Sequence, residues 1–331
     1  MQRALAIFIF PLLPVAAQPP SVGAIGYSQP NLTAAAPGQV TTLFVQGIGG
    51  KLDRPLVSSE PLPTSVAGIS VHLRQSLNGY TVSVQVPILS VRRSPGSCDA
   101  SNALQLRYAL SCAAQITVQI PYELAPGSPV AGSLLASSLR AALIVTENGF
   151  EGPPIPIRPV FDQVHVVDPC DDVMFVKSVD ALPAICGPVI THADGTRVSR
   201  DAPAREGETV TMYALGLGLT SPPAKTGHRS VRSDVLSPER FRLGVTVEPN
   251  GMPRPTTHPV TTEALPGQIA VTVTYVGLVE GYVGLYQVNF TVPRLPSDSP
   301  SCDNRSAYRT NATVSIGTAY AYSGGGICVA R

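Results

Sequence analysis

The side chains in this chain with the most chemical potential are few and lie far apart. Asp168-Pro169-Cys170-Asp171-Asp172 places three carboxylates within five residues. Carboxylate oxygens in that number are a plausible start for a Ca²⁺ site, a hard cation that prefers oxygen ligands. The segment lacks the Asp-x-Asp-x-Asp-Gly loop pattern, so solvated acids in a linker are the simpler expectation. The five histidines, His72, His165, His192, His228 and His258, form neither His-Glu-x-x-His nor His-x-His. No Gly-x-Ser-x-Gly nucleophile elbow is present. A Ser/His/Asp triad assembled from distant positions stays open, because such triads have no fixed sequence spacing. Arg229, Arg232, Arg240 and Arg242, with Lys225 and His228, could meet an anionic glycan or lipid headgroup. A solvated loop is the simpler reading of that cluster. No catalytic residue, metal ligand or cofactor is assigned on these grounds.

The cysteines carry clearer information. There are six, Cys98, Cys112, Cys170, Cys186, Cys302 and Cys328, with no Cys-x-x-Cys spacing of the kind a zinc site uses. An even number in an exported chain suggests disulfides, and about fifteen pairings are formally open to six cysteines. The three sequential pairs, Cys98–Cys112, Cys170–Cys186 and Cys302–Cys328, are favoured because each keeps its loop within one repeat or its boundary. The first residues agree with export. Arg3 supplies positive charge, Ala4 to Phe10 are apolar, and Val15-Ala16-Ala17 offers small residues before a cleavage after Ala17. That stretch is too short to span a bilayer and is interrupted by Pro11 and Pro14. No later segment reads as transmembrane. The expected location is secreted, periplasmic or cell-surface. With a formal charge of +1 and only three lysines, no concentrated cationic footprint exists, so no nucleic acid is expected as a partner.

Any such groups must be positioned by strands. The 33 prolines and 29 glycines break helices, while the Val- and Thr-rich runs between them favour an extended chain. The 44% hydrophobic content argues against disorder for the bulk. The most specific pattern is a doubled one. Residues 37–49 read PGQVTTLFVQGIG and residues 206–218 read EGETVTMYALGLG; later, 115–121 read QITVQIP and 287–293 read QVNFTVP. The order and spacing match, which predicts two tandem immunoglobulin-like β-sandwiches over 18–167 and 168–331, after a signal peptide over 1–17. Gly38 and Gly207 take a turn position that favours positive φ. Ile116, Val118 and Ile120 alternate with Thr117 and Gln119, predicting one core face and one wet face. Gln115 and Gln287 read as structural hydrogen-bonding groups. Further strands are expected over 69–73, 80–86, 143–146, 243–247, 269–275 and 313–317, and one short helix over 133–142.

The second copy resembles a known family. Residues 281–293, GYVGLYQVNFTVP, are similar to the signature of the uncharacterised C-terminal domain first described from Solibacter-type acidobacterial proteins. Thr191-His-Ala-Asp-Gly-Thr196, Ala202-Pro-Ala204 and the strand ending at Gly218 resemble the front of the same domain, and the likeness covers most of 187–317. The first copy is a more divergent relative, without the Gly-Leu-Tyr lead-in. The wider resemblance is to bacterial immunoglobulin-like domains of the IPT/TIG type. It implies an exported β-sandwich, bacterial in origin, at the cell surface or outside the cell. The family carries no agreed catalytic residues. The doubled strand pattern without catalytic motifs adds the expectation of a non-enzymatic protein that adheres, spaces or binds an unknown protein or glycan there. The alternative is an extracellular polysaccharide-active hydrolase, or its accessory module, which would need paired carboxylates facing one cleft.

Overall fold

The two parts of each repeated motif are hydrogen-bonded neighbours. In the computed structural model, Val40–Gln46 runs antiparallel to Ala113–Gln119 with Val40 opposite Gln119. Thr209–Leu215 runs antiparallel to Tyr286–Thr291 with Thr209 opposite Thr291. The two registers are equivalent position by position. The ends are closed identically. Gly38 N–H donates to the Ile120 carbonyl and Ile120 N–H to that of Gln39; Gly207 N–H donates to the Val292 carbonyl and Val292 N–H to that of Glu208. Gly38 and Gly207 have φ of +73° and +79°, where a Cβ is disfavoured. Pro121 and Pro293 follow with no N–H and stop each ladder.

The structure describes residues 19–27, 33–48, 52–77, 79–93, 113–127, 140–171, 187–249, 251–256, 265–302, 310–317 and 321–330. Around the first motif pair, one sheet runs in the order Ser21–Gly26, Val40–Gln46, Ala113–Gln119, Ile88–Arg93, Leu56–Val57. The opposing sheet runs Ala34–Ala35, Ile155–Pro159, Arg140–Glu147, Ile69–Leu77, Ser65–Val66, with Phe150–Glu151 beside Arg140–Glu147 and Tyr80–Gln85 beside Ile69–Leu77. Leu43, Val45, Ile116 and Val118 of one sheet pack against Val71, Leu73, Leu143 and Val145 of the other. The second motif pair lies in a sheet ordered His165–Val166, Thr209–Leu215, Tyr286–Thr291, Val273–Leu278, Asp234–Val235, Thr220–Ser221. It faces Gln268–Ala270, Arg242–Thr246, Ala312–Gly317 and Tyr322–Ile327 across a core that includes Met212, Phe290, Val245 and Val314. The fold is therefore all-β, built as sheet on sheet. Among the described residues the one helical turn is the 3₁₀ turn Pro238–Arg240.

Several expectations change. Arg140–Glu147 is a strand, so the helix expected over 133–142 is overturned at its last three residues; the rest lies outside the described residues. The pairing of Arg140–Glu147 with Ile69–Leu77 over eight positions outweighs the helix preference of alanine and leucine. The stretch 269–275 is not one strand. Gln268–Ala270 and Val273–Leu278 belong to opposite sheets, and the chain crosses between them at Val271 and Thr272. The face of Ala113–Gln119 expected to be wet is dry, with Gln115, Thr117 and Gln119 all buried. Thr117 pairs with Thr42 across the ladder at 3.2 Å, and Gln119 is covered from the second half of the chain. Gln115 Oε1 has no hydrogen-bond partner among the described residues. Val164 and Val166 pack in the second core, and His165–Val166 pairs with Leu215 and Ala214.

Cys302 and Cys328 form a disulfide with Cα atoms 5.5 Å apart, tying the last strand to the loop before Ala312–Gly317. Cys170 is also disulfide-bonded. Cys98, Cys112 and Cys186 lie outside the described residues, as does the export signal expected over 1–17.

Candidate functional site at the junction

A third apolar cluster joins the two halves. Tyr27, Val40 and Leu89 from the first meet Leu215 and Leu285 from the second, with Leu62, Val167 and Tyr213 packed alongside. Val40 and Leu215 belong to the doubled strands but face away from the two main cores. Val40–Gln46 is thereby buried on both faces over most of its length, while the outer face of Thr209–Leu215 is partly covered.

Polar groups surround the cluster, and several of them find partners on the other half of the chain. The Tyr27 and His165 rings stack with centroids 3.7 Å apart and planes 9° from parallel. Tyr27 Oη donates to the Val40 carbonyl at 3.0 Å and accepts from Gln39 Nε2 at 2.9 Å. Burial pushes the Tyr27 phenol well above its ordinary value, keeping it a donor. Gln39 Oε1 accepts from Ala36 N–H at 2.9 Å. Gln119 Oε1 accepts from Gly227 N–H at 2.7 Å, and the Gly227 carbonyl accepts from Leu62 N–H at 2.8 Å. Thr226 Oγ1 accepts from Tyr122 N–H and donates to Glu123 Oε2. Gly284 has φ +62°, and a Cβ there would stand 2.6 Å from the Gly38 carbonyl oxygen. The backbones of the two copies approach too closely for a side chain.

The acids of 168–172 belong to this junction, which corrects their reading as solvated linker charges. Asp171 Oδ2 accepts from His165 Nε2–H and from Asp168 N–H, both at 2.8 Å, and the Asp171 side chain is only 2% exposed. Asp168 Oδ1 accepts from Cys170 N–H, and its Oδ2 from Gly187 N–H. Their oxygens are turned onto N–H donors, and Asp172 lies outside the described residues. No group of three or more His, Cys, Asp or Glu among the described residues could hold a metal ion.

The arginines of the cluster do not converge on one point: Arg229 and Arg232 are exposed, as a solvated loop implies, while Arg240 and Arg242 are half-buried. Arg229 pairs with Glu60 of the first half at 2.8 Å. Arg240 pairs with Asp162 at 2.6 Å and covers the Phe161 ring. Arg232 lies over Tyr275, and Arg242 donates to the Glu239 carbonyl. These side chains are spent on contacts within the chain rather than gathered into an anion-binding patch.

His192 and Glu208 form a separate clamp on the second motif. Glu208 occupies the repeat position of Gln39 and does the same work, its Oε2 accepting from Arg205 N–H three residues back at 2.8 Å. The substitution of acid for amide adds a partner: His192 Nδ1–H donates to Glu208 Oε1 at 2.5 Å, while Nε2 faces the Ala202 carbonyl at 3.1 Å. With acceptors at both ring nitrogens, the doubly protonated imidazolium satisfies both. Burial opposes that charge, yet the bonds to Glu208 and Ala202 outweigh it and raise the His192 pKa above 6.5. Burial likewise opposes the Glu208 charge, but His192 and the Arg205 N–H hold the carboxyl below 4.5. The clamp's contribution is therefore full below 6.5 and lost as pH rises through the higher His192 value in the folded state. On the acid side it is full above 4.5 and lost as pH falls through the depressed Glu208 value. The thermal midpoint of His192→Phe should fall below that of the native chain most between these limits, and the two should converge at alkaline pH. A pH-independent difference would refute the linkage.

A surface groove of about 640 Å³ lies in the second half, lined by Asp234, Phe241, Leu243, Gln268, Val273 and Tyr275 among others. It opens where the chain crosses between sheets. Asp234 is the one carboxylate among its described lining residues, where glycoside hydrolysis uses a pair of acids. No helix among the described residues is long and apolar enough to cross a membrane.

Sequence reasoning passed over Tyr27, Gln39 and Thr226, and assigned Gln119 to a solvent face. The available signal was the exchange of Gln39 for Glu208 at one repeat position, which marks a site where the copies face different surroundings.

No family model matches the chain, and no curated protein matches it. Among solved structures it is similar to the Streptococcus agalactiae AgI/II polypeptide BspA C terminal domain (WT), at 10% identity and TM-score 0.20, covering 95% of this chain and 100% of that one. A structure titled BspA_C_WT gives 9% identity and TM-score 0.21, covering 93% and 99%. Overlap at that level is too slight to bear on fold or function.

Proposed function

We propose that this chain is an exported, non-enzymatic protein of two immunoglobulin-like sandwiches that acts as a stiff surface module for adhesion, spacing or the binding of a protein or glycan. The observation that carries this reading is the junction. An apolar cluster, a stacked Tyr27–His165 pair and bonds such as Gln119 to Gly227 join the halves, where tandem modules free to swing would keep a polar linker. A fused pair holds its two ends at a constant separation, which suits presentation at a surface. The resemblance of 187–317 to the Solibacter-type domain points the same way, and the disulfide Cys302–Cys328 suits an oxidising compartment.

A glycan array combined with pull-down from intact cell surfaces tests the binding reading on the full chain. A specific ligand that survives junction-preserving controls supports it. Failure to retain any glycan or surface protein would leave only the spacer role, which deletion and an envelope-stress assay would then have to reveal. The polysaccharide-hydrolase alternative ranks second, since the groove beside Asp234 has a single carboxylate among its described lining residues; release of reducing sugar from polysaccharides by the purified chain would favour it.

A further inference from the structure

Among the described strands of more than three residues, Tyr80–Gln85 is the most exposed edge. It pairs only with Ile69–Leu77 among the described residues, and five of its six residues are exposed. Val86 N–H donates to the Val71 carbonyl at 2.9 Å, which sets the phase of that ladder. Antiparallel pairs alternate, so the backbone groups of Val84, Val82 and Tyr80 also point at the neighbouring strand. Those of Thr81, Ser83 and Gln85 point outward, offering three N–H and three carbonyl groups in a row. Edges are ordinarily blunted by lysine, proline, a bulge or extreme shortness. The sequence YTVSVQ contains none of these devices. By contrast, Gln268–Ala270 has only three residues, and Tyr322–Ile327 is diluted by three glycines.

The side chains add an apolar stripe. Cross-strand partners share a face, and Leu73 opposite Val84 belongs to the core. Tyr80, Val82 and Val84 therefore lie on the inner face but overhang it, with Tyr80 79% and Val82 52% exposed.

We propose that this edge pairs with the same edge of a second copy of the chain, antiparallel about a two-fold axis through Ser83. The outward-facing residues dictate the register: Ser83 meets Ser83 of the other copy, Thr81 meets Gln85, and on the inner face Val82 meets Val84. Symmetry always sets like residues near like, so a charge on such a strand would forbid self-pairing. This strand is uncharged throughout. A charged peptide would find no countercharge along it, whereas its own copy matches it apolar to apolar and polar to polar. On the outer face the nearest charge is Arg74, opposite Ser83 on the neighbouring strand and engaged with Glu151. The proposal stands apart from the surface-module reading, since a module can adhere as monomer or dimer.

Sedimentation equilibrium of the full chain tests it, with amide hydrogen exchange as the local readout. The native chain should pass from monomer to dimer as concentration rises toward about 1 mM, the weak end of specific association. Protection should grow at the Thr81, Ser83 and Gln85 amides and not elsewhere in that sheet. Ser83→Lys should weaken the dimer about fivefold or more by setting two ammonium groups face to face; Ser83 is exposed, so the thermal midpoint should drop only slightly, by the repulsion from Arg74 opposite. Mixing Ser83→Lys with Ser83→Glu should restore dimer mass as a heterodimer. A chain that stays monomeric throughout, a dimer without protection at these amides, or a Ser83→Lys chain that dimerises like the native one would each overturn the proposal.

Discussion

Gly216→Ala is expected to lower stability by at least about 3 kcal/mol, while Gly207→Ala in the same motif should cost about 1 kcal/mol. Both glycines have positive φ, +73° and +79°, so both substitutions meet the same backbone penalty. They differ in what surrounds them. A Cβ at Gly207 meets nothing within 4 Å; a Cβ at Gly216 would stand 2.2 Å from the Gln163 carbonyl oxygen. That carbonyl cannot easily retreat, because Gln163 N–H donates to the Gly216 carbonyl at 2.8 Å and holds the two segments together. The clash therefore has to be relieved by breaking a strand-edge contact beside the junction. Urea unfolding of the two variants at unchanged m-value gives the comparison directly. Equal losses at the two positions would show that the close approach at Gly216 contributes nothing.

Arg240→Met is expected to cost about 2–3 kcal/mol at neutral pH, less than for a fully buried pair because the guanidinium is partly exposed. Methionine keeps the apolar stem that lies against Phe161 and removes only the charge. The Asp162 side chain is 5% exposed and would be left with an unpaired carboxylate. Burial already raises the Asp162 pKa above 3.8, and Arg240 pulls it back in part. Without Arg240 the pKa rises further, so the folded variant holds its proton to higher pH than the unfolded chain does. A raised carboxyl pKa means that stability falls as pH climbs from the unfolded value through the folded one. The deficit of Arg240→Met relative to the native chain should thus shrink near about pH 4 and be largest near about pH 8. Unfolding free energies at the two pH values decide it, and a deficit that grows on acidification would rule out an orphaned Asp162 carboxylate as its origin.

Much of the fold was legible because it is periodic. Alternating Ile116, Val118 and Ile120, the glycine turns at Gly38 and Gly207, and the terminating Pro121 and Pro293 are local features whose consequences stay local. The errors share one cause. Alanine and leucine near Arg140 favour helix only when nothing pairs with them, and Ile69–Leu77 does. Thr117 and Gln119 look like a solvent face only when nothing packs on that face. Asp168 and Asp171 look like free acids because nothing local reveals that Gly187 N–H and His165 will reach them.

What the sequence determined by itself is the repeated unit: a turn, an alternating strand, a distant partner strand and the register between them, twice over. These follow from backbone hydrogen bonding and side-chain periodicity, which act over a few residues. Only the tertiary structure decided what the two units do to each other. Val40, Leu215, Tyr27, His165, Gln119 and Gly227 meet across up to about two hundred positions of chain, and no local rule announces a contact of that range. The junction exists because each unit leaves one apolar face uncovered, and burying the two faces against each other removes both from water.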